Sequence, residues 1–360
     1  MLKSLFSQFQ TRGTYQSAEP YGSGHINDTY LVQTTEAHCP NYIFQRINHH
    51  VFQHPQAMMN NIVLVTEHIR NKLNPYINSE RECLTVIKST QQFPAVTDEE
   101  GFYWACYLYI NDSHAHDLVT NTKQAREGGK LIGRFLNHVS DFPHEALHET
   151  LPNFHNVDFR LENFERAVKE NNFDRVQQCQ SEIEFVRSIA DEMKLTMSLG
   201  EQGKIPLRVV HNDTKFNNIL LDSDDNGLCL IDLDTVMPGY LHYDFSDAVR
   251  TIANSSAEDE KDLRKISFDM NLFSAFCTGF IGEIKHNLNS AEINSLARAA
   301  PLMPFLHGMR FLTDHLTGDG YYKIHFPGHN LQRAQAQFQL IRCIQENISE
   351  MHKIICNLSH

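Results

Sequence analysis

The chain has 360 residues, 31 Lys and Arg against 44 Asp and Glu, and a formal net charge of −13. That length is more than one core usually serves, so two lobes are expected, and the negative balance argues against nucleic acid and anionic membrane surfaces as partners, since both require a positive surface. Eight cysteines, at 39, 83, 106, 179, 229, 277, 343 and 356, form no C-x-x-C pair and read as reduced thiols, and MLKSLFSQFQTRG lacks the apolar core of a signal peptide, so the cytoplasm is the expected compartment.

Gly22, Ser23 and Gly24 precede the strand-like Tyr30-Leu31-Val32, and a Gly-Ser-Gly turn entering a strand lets backbone amides approach a triphosphate. A plain hairpin reads the same way, and the chain contains no G-x-x-x-x-G-K-[ST] loop. Tyr42 to Ile47 alternates so that Phe44 and Arg46 share one face, as the V-A-I-K strand of kinases presents its lysine to the α/β-phosphates. Arg46 would stand in for that lysine. A helical pattern follows from Pro55 to about Leu73, with Glu67 the candidate ion-pair partner of Arg46.

Phe102 to Ile110, FYWACYLYI, is an aromatic strand ending at the polar Asn111-Asp112. It reads as the connector between lobes, with backbone groups near Leu108 to Ile110 open to adenine. The expected division is a nucleotide-binding lobe, residues 1–110, and a catalytic and substrate-binding lobe, residues 111–360. The second lobe is expected to be largely helical, over Thr122 to Val139, Phe159 to Asn171, Asp174 to Leu199, Ala257 to Ile281, Ser290 to Phe311 and Leu331 to Asn357.

Between those helices, LRVVHNDTKFNNILLDSDDNGLCLIDLDTVMPGY at Leu207 to Tyr240 holds polar groups at fixed spacing between apolar runs. His211, Asp213 and Asn218, then Asp232, give the H-x-D-x-x-x-x-N plus downstream Asp arrangement of kinase-type phosphoryl transfer. A hydroxyl attacking a γ-phosphoryl group needs one carboxylate to orient it and take its proton, which suits Asp213. The ATP phosphates need Mg²⁺ held by hard oxygen ligands, which suits the Asn218 amide oxygen and the Asp232 carboxylate. Lys215, two residues after Asp213, could reach the transferring phosphate, as a lysine at this offset does in Ser/Thr kinases. NILLD and LCLIDLD read as strands joined by a two-residue Asn226-Gly227 turn. Asp222, Asp224, Asn226 and Gly227 mimic the start of a calcium loop, but Leu233 stands where an EF-hand needs its bidentate Glu.

With these pieces in place, the chain resembles the aminoglycoside phosphotransferase and choline kinase-like superfamily, whose pattern is H-G-D-x-x-x-x-N followed by I-D-x-[DE]; Asn212 stands here where Gly is usual. Within it the sequence is most similar to the N-acetylhexosamine 1-kinases. The similar segments are Gly22 to Tyr30, Gln45 to Ile47, Leu151 to Asn156, His211 to Asn218, Ile231 to Gly239, Asp244 to Arg250 and Arg310 to Leu316. The resemblance implies an α+β, bilobal protein kinase-like fold, with a small antiparallel β-sheet lobe carrying a helix and a larger, mostly helical lobe. It implies an ATP- and Mg²⁺-dependent kinase acting on the anomeric hydroxyl of GlcNAc or GalNAc. Sugar contacts would come from His25, Asn27 and Asp28, from Asp213, and from Arg310 and Tyr321, while Asp247 and Arg250 would either touch substrate or form a structural salt bridge. The alternatives are another acceptor on the same fold (choline, homoserine, an aminoglycoside or another sugar) and a binding protein without activity. The presence of Asp213, Asn218 and Asp232 together disfavours the last.

Overall fold

The computed structural model describes residues 1–22, 24, 26–73 and 79–359. After a short α1 (Leu2–Phe6), the N-terminal lobe is a five-stranded antiparallel sheet of β1 (Tyr15–Pro20), β2 (Asp28–Thr34), β3 (Tyr42–Ile47), β4 (Val96–Thr97) and β5 (Tyr103–Leu108). The strand order is β1-β2-β3-β5-β4, with α2 (Pro55–Lys72) and the single turn α3 (Ser79–Glu82) inserted between β3 and β4. Pro55 opens α2 at a position where its missing N–H has no partner to lose.

Both faces of this sheet are apolar, and their partners differ. Tyr42, Phe44 and Trp104 close one cluster with Leu5 and Phe6 of α1 and with Phe9. Ile47, Ala105 and Tyr107 point the other way, onto Met58, Met59 and Ile62 of α2, in a core that continues into the helical lobe. β3 therefore alternates as its sequence predicts, but the face shared by Phe44 and Arg46 is the one turned away from α2. Arg46 cannot meet Glu67. It pairs instead with Asp28, its register partner on β2, through Nε at 2.9 Å, and lies 4.7 Å over the Phe102 ring. Glu67 accepts from Lys88 Nζ at 2.9 Å. The β3 residue on the α2 side is Gln45.

The C-terminal lobe contains α4 (Thr122–His138), α5 (Val157–Glu170), α6 (Gln180–Met193) and α7 (Leu195–Glu201), then the site-bearing strands, then α8 (Leu241–Ile252), α9 (Met270–Ile284), α10 (Ser290–Ala299), α11 (Leu302–Leu316) and α12 (His329–Ser359). α4 and α9 cross with their backbones in contact. A Cβ on Gly129 would lie 2.2 Å from the Phe276 carbonyl oxygen and one on Gly279 2.1 Å from that of Arg126, so only glycine fits at either position. Three expected helices are broken, and the one expected over Asp174 to Leu199 divides at Lys194 into α6 and α7. Pro301, which cannot occupy a helix interior, separates α10 from α11, and the stretch expected to begin a helix at Ala257 is loop up to Asp269, whose side chain accepts the N–H groups of Asn271 and Leu272 to start α9. Among the described residues no helix is long and apolar enough to cross a membrane.

The site strands form two ladders, β6 (Arg208–Val210) with β9 (Met237–Gly239) and β7 (Ile219–Leu221) with β8 (Gly227–Leu230). The β7–β8 turn differs from the expected Asn226-Gly227 pair. It runs from Asp222 to Asn226, closed by the Asp222 N–H to the Asn226 carbonyl at 3.0 Å and with Asp225 at φ +59°. Gly227 is already in β8, where a Cβ would come 2.9 Å from Leu131 Cγ on α4. Its glycine serves close packing.

Candidate active site

The loop joining β6 to β7 is held from three sides. Asp244, one turn into α8 and fully buried, accepts the His211 N–H at 2.8 Å on one oxygen and the Asn212 N–H at 2.7 Å on the other, while its own carbonyl accepts the Thr214 hydroxyl at 2.6 Å. His211 bonds the Ile231 carbonyl through Nε2 at 3.0 Å, so Nδ1 is the acceptor for the Asp213 N–H at 3.2 Å. Burial pushes the His211 pKa down to about 4, and the ring is a neutral brace between loop and hairpin. Asn212 stands at φ +66°, a left-handed conformation that asparagine tolerates, and its Nδ2 donates to the Thr235 carbonyl at 3.0 Å. The departure from glycine thus preserves the loop geometry. His155 adds a third brace, Nε2 to the Asn212 carbonyl at 3.1 Å, with burial holding it neutral at a pKa of about 3.

This scaffold presents Asp213 with one oxygen engaged. Oδ2 accepts Lys215 Nζ at 2.8 Å and Asn218 Nδ2 at 3.0 Å. Burial alone would raise the Asp213 pKa, but the charge and hydrogen bond of Lys215 outweigh it and hold the carboxyl below the ordinary value. Asp213 is ionised at neutral pH and able to accept a proton. Lys215 is raised in turn, burial opposing and Asp213 and then Asp232 supporting its charge.

Asp232 returns beside Asn218 through the Ile231 N–H to Asn218 carbonyl bond at 2.8 Å, and is itself at φ +64°. Its carboxylate accepts no hydrogen bond from the described residues, and the Asn218 amide turns its nitrogen to Asp213, which leaves Oδ1 free. Three carboxylates, Asp213, Asp232 and Asp234, face a single ammonium; burial, then Asp232, pushes Asp234 up to about 8. Such an excess of hard oxygen donors suits a divalent cation. Among the described residues no three His, Cys, Asp or Glu side chains converge on one metal position, so a metal here would complete its shell with phosphate oxygens and water, as Mg²⁺ commonly does.

The expected sugar contacts on the N-terminal lobe are already engaged elsewhere. Asn27 donates through Nδ2 to Asp234 at 2.5 Å and accepts the Asn48 N–H at 2.8 Å, so it bridges the lobes, and Asp28 holds Arg46. Ser23 and His25 lie outside the described residues. Gly22, at φ +78°, sits in the β1–β2 turn, next to Tyr21, whose hydroxyl lies 3.4 Å from that of Tyr109 in the connector. In that connector the Leu108 N–H is spent on Thr85 and that of Tyr109 on Asn41, whereas the Ile110 N–H has no acceptor among the described residues. Arg310 and Tyr321 do come together. The Arg310 guanidinium lies 5.7 Å from the Phe154 ring, 6.0 Å from Tyr321 and 5.7 Å from Tyr322.

Asp244, His155 and Asn27 are the residues whose work the motif spacing did not disclose. For Asp244 a signal existed, since it lies three residues before Asp247 on one helix face among apolar neighbours, a place where carboxylates are kept only for a buried partner. Nothing in the sequence pointed to Asn27 as a bridge.

The sequence model of the phosphotransferase enzyme family APH matches residues 17–270. The chain belongs to that family. Solved structures agree on the fold. One similar structure is a microcompartment-associated aminopropanol kinase, 14% identical, covering 98% of each chain with a TM-score of 0.68. An amicoumacin kinase in complex with AMP-PNP, Ca²⁺ and Ami is 13% identical over 94% of this chain and 92% of its own, with a TM-score of 0.60. A choline kinase from Cryptosporidium parvum is 14% identical over 93% and 90%, at 0.54. As a family member the chain is a small-molecule phosphotransferase.

Proposed function

We propose that this phosphotransferase moves the γ-phosphoryl group of ATP, with Mg²⁺, onto the anomeric hydroxyl of an N-acetylhexosamine. The nucleotide would lie near Gly22 and Gly24 with its adenine edge at the Ile110 N–H; the similar amicoumacin kinase is in complex with AMP-PNP. Asn218 and Asp232 would hold Mg²⁺, which supplies neutralisation of the charge developing on the phosphates. Asp213 orients the attacking hydroxyl and takes its proton, and Lys215 lies where the transferring phosphoryl passes.

The observation that carries the acceptor class is a pair of guanidiniums beside the loop. Arg310 and its neighbour Arg160 stand on the Phe154 side of the loop, and neither makes a salt bridge with a described residue; among the described residues Arg160 donates only to the Phe154 carbonyl, through Nε at 3.3 Å and Nη2 at 3.1 Å. Burial, then Arg310, brings the Arg160 pKa down to about 10. Two guanidiniums without a carboxylate partner among the described residues offer donors to neutral oxygens, such as the hydroxyls and acetamido carbonyl of a sugar. Asp213 points the same way: a carboxylate held below its ordinary pKa is a weak base, matched to an anomeric hydroxyl, which is more acidic than an ordinary alcohol. A coupled ADP-release screen over N-acetylhexosamines, other sugars, choline, homoserine and aminoglycosides tests this. Turnover confined to neutral amino sugars supports the assignment, and brisk turnover of a cationic acceptor refutes it.

A further inference from the structure

Asp247 and Arg250 form a buried ion pair on α8, and its geometry is lopsided. Arg250 Nε and Nη2 both bond Asp247 Oδ1, at 2.9 and 2.8 Å, and Nη1 reaches Glu258 at 2.9 Å. Asp247 Oδ2 is buried with no hydrogen-bond partner among the described residues, on a residue 1% exposed. A carboxylate oxygen kept dry and unpartnered is costly, and one placed beside a reaction centre is most simply explained by a ligand that completes it. The location fits. Asp247 lies within the fields of Asp213 and Lys215, and His307, one helical turn before Arg310 on α11, brings Nε2 to 3.8 Å from Asp247 Oδ1. That gap is too wide for a direct bond, and Oδ1 already takes two bonds from Arg250, so an oxygen lodged between His307 and the carboxylate would complete Oδ2.

We infer that Asp247 and His307 form a hydroxyl-binding subsite of the acceptor pocket, taking a sugar hydroxyl other than the one phosphorylated. The hydroxyl donates to the Asp247 carboxylate and accepts from His307 Nε2–H. His307 can fill that role because burial, then the charges of Arg250 and Arg310, hold its ring neutral. An ammonium group fits less well, since Arg250, Arg310 and Lys215 surround the position. The inference rests on the acceptor being a polyol.

The test is a substrate–variant cycle on the full-length enzyme with GlcNAc, GalNAc and their single-deoxy analogues. Asp247→Asn keeps an acceptor for Arg250 and turns Oδ2 into a donor; it is expected to raise KM for the sugar at least about tenfold, with KM for ATP within about twofold. One deoxy analogue should lose about tenfold on the wild type and nothing further on Asp247→Asn, and His307→Gln should weaken binding of the same analogue series at the same position. Additive losses at every ring position, on a variant whose melting curve matches the wild type, overturn the subsite. Should Asp247→Asn fail to fold, His307→Gln carries the cycle alone, and additivity there overturns it equally. Turnover of single-hydroxyl amino alcohols and of no polyol would sink both this subsite and the sugar assignment, whereas additivity on a turned-over sugar sinks the subsite only.

Discussion

Asn61 of α2 is 1% exposed and joins the two lobes through three neutral hydrogen bonds. Nδ2 donates to the carbonyls of His148 at 2.8 Å and Val236 at 3.0 Å, and Oδ1 accepts the His148 N–H at 2.9 Å. Asp232 and Val236 flank a single 3-10 turn, Leu233–Thr235, so the same side chain steadies the segment bearing the proposed metal ligand. Asn61→Ala leaves the part-buried His148 N–H without its acceptor and removes the bonds to the His148 and Val236 carbonyls, for a total of about 3–4 kcal/mol. With an unfolding entropy of about 2.1 cal/mol/K per residue over 360 residues, that lowers Tm by about 5 °C. Differential scanning calorimetry reads the shift directly. KM for Mg·ATP should rise in the same variant, because the lobes lose a fixed contact beside Asp232. A Tm within about 1 °C of wild type would refute the reasoning, since it corresponds to less than about 1 kcal/mol.

Asp213→Asn is expected to reduce kcat by a factor on the order of 10²–10⁴ with nucleotide affinity little changed, measured by steady-state kinetics and ATP-analogue titration. Asp232→Ala should abolish turnover, while Asn218→Ala should weaken it and raise the Mg²⁺ requirement; a Mg²⁺ titration of activity in which both variants match wild type removes them from the metal site. Arg310→Ala should lose at least about tenfold in kcat/KM for the sugar, about 1.4 kcal/mol, with KM for ATP little changed. His242, fully buried against Ser295 at 2.7 Å, has its pKa pushed down by burial to about 4, from an ordinary 6.5. The unfolded chain protonates this ring below 6.5 and the folded protein does not until about 4. Stability is therefore lost as pH falls through that window, by about 1.4 kcal/mol per pH unit. Relative to His242→Gln, wild type should lose about 3 kcal/mol between pH 6.5 and 4 in urea unfolding, and parallel pH profiles would contradict the assignment.

The juxtaposition of the groups proposed for catalysis was legible because their spacing is local: Asp213, Asn218 and Asp232 lie on one loop and one hairpin, and short-range geometry brings them together. Local patterns also marked β2, β3 and β5, whereas β1 and β4 carried no such signal and the kinase-like bilobal arrangement came from the family resemblance. What escaped depended on distant packing. The alternation of β3 was readable, but which face meets α2 is decided by α1 and α2 together, and a strand pattern is symmetric between its two faces. Arg46 and Glu67 were paired on the wrong assumption about that side. Asn27 looked like a free polar loop residue because its partner, Asp234, is 207 positions away. Asn226-Gly227 has the composition of a tight turn, and only Leu131 of α4, pressing on Gly227, shows that the glycine answers to packing.

The central claim is transfer to an anomeric oxygen, and phosphorus NMR of the reaction with ATP, Mg²⁺ and N-acetylglucosamine or N-acetylgalactosamine tests it most directly. A phosphomonoester resonance coupled to the anomeric proton is the expected result. A 6-phosphate, or no product from any amino sugar alongside turnover of choline or an aminoglycoside, would contradict it.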